Sequence, residues 1–166
     1  GVAKNAHNDE KVAGGSSGGS AVNVAEENTI FSIGGDTGGS IRQPAGYNKV
    51  YGLKPTYGRV SRYGLMAYTS SSDCVGPFAK TVKDIATTLN VISGKDGKDQ
   101  TTIASKEINT DSFTSEIKSG TKIGIYKSFI DHPSLDPSIK ADFNALIEKL
   151  KAKGIEVKEL DFFDGD

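Results

Sequence analysis

The chain is poor in the residues on which several kinds of chemistry depend, and each shortage removes a class of function. Its 166 residues contain one cysteine, Cys74. That excludes an internal disulfide framework and suits a reducing compartment, with Cys74 read as a small core residue. Only two histidines occur, His7 and His132, far apart and without cysteine or acidic partners at ligand spacing. No metal site is expected from them, and neither has an obvious place as the base of a Ser-His-Asp triad. The formal net charge is −1, so the surface offers no electrostatic footprint for nucleic acid or an anionic membrane. No apolar run approaches membrane-spanning length, and the N-terminus lacks a basic-then-apolar signal pattern. A cytoplasmic protein without a membrane partner is expected.

What the chain does have is glycine, concentrated between Gly14 and Gly64 and nearly missing from the Lys- and Asp-rich last third. The chemistry is therefore expected in the first third. Gly1–Val12 is polar and reads as irregular; it starts without an initiator Met, as the interior of a longer protein would. Ser20–Glu27 is helix-compatible, and Thr29–Ile33 is a β-branched and aromatic run of strand length that ends at Gly34-Gly35. Asp36–Pro44 is a tight glycine turn that can enter a short helix. Short extended segments are expected within Lys49–Thr56 and Tyr63–Thr69. Thr81 caps a helix in which Val82, Ile85, Ala86, Leu89 and Ile92 share one face, and Gly94 stops it. Gly97–Asn109 is a polar loop. Lys122–Ile125 reads as a strand, Ser138–Lys153 as an amphipathic helix ending at Gly154, and Ile155–Phe162 as a second strand. That βαβ unit implies a parallel pair with a right-handed crossover. The fold class is α/β, a mixed sheet flanked by helices.

Two glycine-serine clusters carry the chemistry. Gly14-Gly15-Ser16-Ser17-Gly18-Gly19 has the composition of a flexible linker, yet it joins no two obvious domains and runs directly into a helix-compatible segment. Such a turn presents backbone N–H groups to an anion. A phosphate loop is excluded, because no Gly-Lys-Ser/Thr follows and dinucleotide glycine spacing is missing. In the second cluster a strand ends and Asp36, Thr37, Gly38, Gly39 and Ser40 follow at once. Glycines before a serine let the backbone turn sharply and leave N–H groups unpaired, as an oxyanion hole requires. The Gly-x-Ser-x-Gly elbow is absent, since Ile41 and Arg42 follow Ser40. A Ser40 nucleophile would need a non-histidine activator, for which Ser–Lys chemistry is the known solution.

Gly14–Ala21 and Gly35–Ala45 resemble the two halves of the amidase signature family motif, with Ser16 and Ser40 at the family's spacing of 24 positions. The stretch Val50–Leu65 is closest to one branch, the A subunits of the glutamyl-tRNA(Gln)/aspartyl-tRNA(Asn) amidotransferases. The likeness covers about the first hundred residues well. It implies that residues 1–166 are the central portion of one amidase signature domain: a catalytic core over 1–100, a loop over 101–120 and a βαβ-like segment over 121–166. By the same resemblance, Ser40 would be the acyl-forming nucleophile and Ser16, held by a cis peptide bond, would relay its proton to a neutral lysine. Thr37, Gly38 and Gly39, with Ser40, would supply oxyanion N–H donors. Asp36 and Arg42 would brace the turn as an ion pair, and Ser17 would add a supporting hydrogen bond.

The family's lysine is expected upstream of residue 1, since Lys4 and Lys11 lie too close to Ser16 in sequence. The glutamine-recognising residues are expected beyond residue 166. The isolated chain is accordingly expected to release little or no ammonia from glutamine. The function the resemblance implies is a glutaminase supplying ammonia to transamidate mischarged Glu-tRNA(Gln) or Asp-tRNA(Asn). Its partners would be the B and C subunits and, through the complex, the tRNA. No cofactor is expected in this chain, whereas the amidating partner would use ATP and Mg²⁺. The alternatives are a stand-alone amidase of other specificity and a non-catalytic fragment lacking the lysine.

Overall fold

The computed structural model describes residues 2–113, 116–118 and 120–161. The chain forms two compact units, Gly1–Phe113 and Thr114–Asp166.

The first unit opens with an antiparallel hairpin of β1 (Lys4–Asn5) and β2 (Asn8–Val12), where an irregular segment was expected. Polar side chains hold it, which is why no apolar alternation marks it. Buried Asn5 donates to the carbonyls of Val12 and Tyr47 at 3.2 and 2.8 Å and accepts from the His7 amide at 2.9 Å. Asn48, fully buried, accepts from the Ala6 amide at 3.0 Å and donates to Ala13 O at 2.7 Å.

Helix α1 (Gly18–Ala25) then leads to strand β3 (Phe31–Asp36), helix α2 (Arg42–Tyr47) and the short strand β4 (Tyr51–Gly52). Strand β5 (Cys74–Ala79) lies between β3 and β4, antiparallel to both, with Asp36 opposite Cys74 and Ile33 opposite Pro77. β5 was not predicted, because Gly76 and Pro77 argue against a central strand. A strand residue's N and C=O point to the same side, and Pro77 O accepts from Leu53 N at 3.0 Å. The missing Pro77 donor therefore faces the side where β4 has already ended, and the ladder to β3 loses nothing.

β3 also runs through both glycines rather than ending at them. A Cβ on Gly34 would lie 2.5 Å from Ser17 Oγ and 2.8 Å from Phe78 Cε2. Glycine at 34 thus lets the start of α1 rest on the strand. The core over this sheet is Ala21, Val24, Ile41, Ala45 and Phe78, with Val50 packed against it. Burial of side chains the size of Val24, Ile41 and Phe78 stabilises by about 1.5–3 kcal/mol each.

Helix α3 (Val82–Ile92) follows the expected pattern. Thr81 Oγ1 accepts from the Asp84 amide at 3.0 Å, and Ile85, Ala86 and Leu89 are buried. Val82, in the first turn, is instead half exposed. A loop and one 3₁₀ turn, Thr110–Ser112, complete the unit.

The second unit contains β6 (Lys122–Tyr126), a short helix α4 (Lys127–Ile130), α5 (Pro137–Ala152) and β7 (Glu156–Leu160). β6 and β7 pair in parallel, Lys122 opposite Glu156 through Tyr126 opposite Leu160. Asp136 caps α5 by accepting from the Ser138 amide at 2.8 Å, and Gly154 closes it at φ +76°. The expected extension of β7 to Phe162 falls outside the described residues. Among the described residues no helix is long and apolar enough to cross a membrane.

Candidate active site

The ends of β3, α1 and α2 converge on one cleft of about 560 Å³, lined by Ser16, Thr37, Gly38 and Ser40 and, on the far wall, by Leu65, Met66 and Tyr68. The two glycine-serine clusters, separate in sequence, share this cleft. Three contacts join them. The Ser17 amide donates to Ser40 O at 3.1 Å. Ser17 Oγ both donates to Gly35 O and accepts from Gly35 N, each at 3.2 Å. The Gly15 amide donates to Gln43 Oε1 at 3.3 Å. The peptide bond between Gly15 and Ser16 is cis. Neither the Ser16 nor the Ser40 hydroxyl has a hydrogen-bond partner among the described residues, so no hydrogen bond joins the two. No described lysine lines the cleft.

Asp36 organises the turn from beneath. It is essentially inaccessible to solvent. Its Oδ1 accepts from the Gly39 amide at 2.9 Å and Arg42 Nη2 at 3.0 Å. Its Oδ2 accepts from the Ile41 and Arg42 amides at 3.0 and 3.2 Å and from Arg42 Nε at 3.1 Å. Burial alone would raise the carboxyl's pKa. The Arg42 guanidinium and the Ile41 and Arg42 amides outweigh it and hold the group at about 2. The same hydrogen bonds raise the Arg42 guanidinium above its ordinary value.

This geometry narrows the expected oxyanion set. The Gly39 N–H donates to Asp36, whereas the amides of Thr37, Gly38 and Ser40 carry no hydrogen bond among the described residues. Gly39 contributes its φ of +135° instead, a conformation that residues with a Cβ rarely adopt.

Asp73 is the residue that sequence reasoning missed. It is 4 % exposed and accepts from the Thr37 hydroxyl and from the Tyr68 and Thr69 amides. The Thr37 hydrogen bond, helped by those amides and opposed by burial, holds its carboxyl below the ordinary range. An Asp closing the polar run Thr69–Ser72 before a strand is a signal for a side chain turned back onto backbone N–H groups.

Among the described residues the cleft thus brings together two serine hydroxyls without hydrogen-bond partners and several unpaired backbone donors. The family model described as Amidase matches residues 1–164, and the chain belongs to that family. Among its relatives is the A subunit of the glutamyl-tRNA(Gln) amidotransferase from Synechococcus sp. strain CC9605, 49 % identical over 161 residues, which cover 96 % of this chain and 33 % of the relative. The crystal structure of the A subunit of the Thermotoga maritima glutamyl-tRNA(Gln) amidotransferase superposes with a TM-score of 0.87 at 40 % identity, over 98 % of this chain and 35 % of that one. Peptide amidase from Stenotrophomonas maltophilia gives a TM-score of 0.76 at 30 % identity, over 95 % of this chain and 33 % of that one. The chain thus spans about a third of the length of the relatives it matches.

Proposed function

We propose that this chain carries the serine centre of a glutamine amidohydrolase that feeds ammonia to a tRNA-dependent amidotransferase. In this reading Ser40 Oγ attacks the carbonyl carbon of the glutamine side-chain amide. Its proton passes to Ser16 and on to a lysine base. The tetrahedral oxyanion is met by the unpaired amides of Thr37, Gly38 and Ser40, which cost no reorganisation when charge develops. The C–N bond then breaks, the nitrogen takes back a proton and leaves as ammonia, and water hydrolyses the Ser40 ester to glutamate. The ammonia goes to a B subunit that amidates mischarged Glu-tRNA(Gln) or Asp-tRNA(Asn) with ATP and Mg²⁺, with a C subunit completing a cytoplasmic complex.

The observation that carries this reading is the convergence of Ser16 and Ser40 on one cleft beside free N–H donors. The tRNA branch is supported by the relatives, which are A subunits of glutamyl-tRNA(Gln) amidotransferases. In the full-length enzyme, Ser40→Ala is expected to abolish acyl-enzyme formation with glutamine and ammonia release together. Trapping the acyl-enzyme by rapid acid quench and mapping it by mass spectrometry tests this. An adduct on another residue, or undiminished ammonia release from the variant, rejects the assignment.

A further inference from the structure

We propose that Asp73 is a positioning residue that locks the oxyanion-binding turn to the opposite, apolar wall of the cleft. The proposal rests on Ser40 as nucleophile, but its structural half stands apart from that assignment.

The turn between Asp36 and Ser40 contains two consecutive glycines, and Gly39 sits at φ +135°. Glycine leaves the backbone the widest conformational choice, so amides meant to hold a fixed geometry need anchors outside the turn. Asp36 is one, gripping Gly39, Ile41 and Arg42 from below. Its carboxylate makes no hydrogen bond to Thr37 or Gly38, whose amides are left open to the cleft. The side-chain anchor on that stretch is the Thr37 hydroxyl, which donates to Asp73 Oδ1.

Asp73 holds the far wall through its remaining acceptor capacity. Oδ2 accepts from Tyr68 N at 2.8 Å and Thr69 N at 3.0 Å, and Oδ1 also lies 3.1 Å from Thr69 N. The Asp73 amide closes the loop by donating to Thr69 O at 2.9 Å. The segment held in this way presents Leu65, Met66 and Tyr68 to the cleft. One buried carboxylate therefore joins the turn that would bind the oxyanion to the wall that would bound the substrate. Strand pairing does not need it, because Asp36 opposite Cys74 already fixes the register of β3 and β5. Burying a charge is costly unless it is fully hydrogen-bonded, and here the bonds that satisfy it divide between the Tyr68–Thr69 wall and the Thr37 hydroxyl of the turn.

Losing this tie leaves the oxyanion donors present but unaimed. Removing one donor outright costs on the order of 100- to 1000-fold in kcat. Loosening two is expected to lower kcat roughly 10- to 100-fold, with a smaller change in KM. In the full-length enzyme, Asp73→Asn and Thr37→Val are expected to lower kcat for ammonia release from glutamine alike. Their combination is expected to be no worse than either alone, because both cut one link. Thr37→Ser keeps the hydroxyl and is expected to recover most of what Thr37→Val loses.

In parallel, amide NMR of this chain is expected to show that Thr37→Val moves the Tyr68 and Thr69 resonances as well as that of Gly38. Multiplicative effects in the double variant, a Thr37→Val enzyme with unchanged kcat, or NMR changes confined to residues 36–40 overturn the proposal. Ammonia release that survives Ser40→Ala refutes the nucleophile instead, and the NMR arm still decides the tie.

Discussion

Asp36→Asn tests the physical account of the serine turn most directly, because it removes one charge and leaves the shape of the side chain almost unchanged. In the native turn the carboxylate accepts from three backbone amides and two guanidinium nitrogens. The carboxamide keeps one acceptor oxygen and places an NH₂ group where Oδ1 or Oδ2 stood, facing groups that are themselves donors. Whichever way it turns, at least two N–H groups of the turn lose their partner, and Arg42 loses its counter-ion. Breaking a buried pair from one side costs about 3–5 kcal/mol. The Arg42 side chain is 54 % exposed and water can solvate it after the change, so the low end, about 3 kcal/mol, is expected. With an m-value near 1.5–3 kcal/mol/M, this lowers the urea midpoint of the first unit by roughly 1–2 M.

The pH dependence separates the charge from the shape. The carboxyl is held at about 2 against an ordinary 3.8. A depressed acid pKa gives stability that is fully present above the unfolded value and is lost as pH falls through the folded one. At about 1.4 kcal/mol per pKa unit it amounts to about 2 kcal/mol at neutral pH. The gap between wild type and Asp36→Asn should therefore stay constant from pH 7 to about 5 and shrink to about 1 kcal/mol by pH 2. Urea titrations followed by far-ultraviolet circular dichroism at several pH values measure both quantities. Equal midpoints at pH 7 would refute the burial argument, and a gap that persists unchanged to pH 2 would refute the charge argument.

Two further outcomes test the packing around the site. Gly34→Ala is expected to destabilise by about 1–3 kcal/mol through overpacking, since its Cβ would meet Ser17 Oγ at 2.5 Å and Phe78 Cε2 at 2.8 Å; an unshifted urea midpoint would contradict it. Thr81→Ala removes the α3 cap and is expected to cost about 1 kcal/mol, read as faster amide hydrogen exchange at Asp84 and Ile85; exchange as slow as in the parent chain would exclude the cap as a stabilising contact.

The features legible in the sequence were those governed by local chemistry. Thr81 with its apolar face announced α3, and the amphipathic run up to Gly154 announced α5, because caps and periodicity act within a turn or two of chain. The pairing of Ser16 with Ser40, 24 positions apart, was legible only through the resemblance to the amidase signature motif. What escaped depends on contacts distant in sequence. β5 looks broken at Gly76-Pro77 until its neighbours are known, since only the early end of β4 makes a missing donor harmless there. The β1–β2 hairpin is built by Asn5 and Asn48, whose partners lie up to 42 positions away. Asp73 reads as an ordinary loop acid until the Thr37 hydroxyl, 36 positions earlier, is found beside it. Gly39 looks like an oxyanion donor in the sequence because nothing there reveals that Asp36 already holds its N–H.

That last point bears on why a buried acid stands next to a site meant for negative charge. Two like charges 5–7 Å apart repel by roughly 2–3 kcal/mol at an effective dielectric near 20, enough to cancel much of what one oxyanion donor contributes. A bare Asp36 would therefore oppose the proposed chemistry, and an apolar residue would leave the glycine turn without an anchor. The structure avoids both by matching the carboxylate with Arg42 and three amides, so the turn is anchored by a nearly neutral unit. The donors consumed in this matching belong to Gly39, Ile41 and Arg42, while those left open belong to Thr37, Gly38 and Ser40, beside the hydroxyl that would attack. Arg42 then has an electrostatic task beyond bracing. Replacing it while keeping Asp36 should depress oxyanion stabilisation, read as a lower kcat for ammonia release, since the change leaves the repulsive charge without its partner.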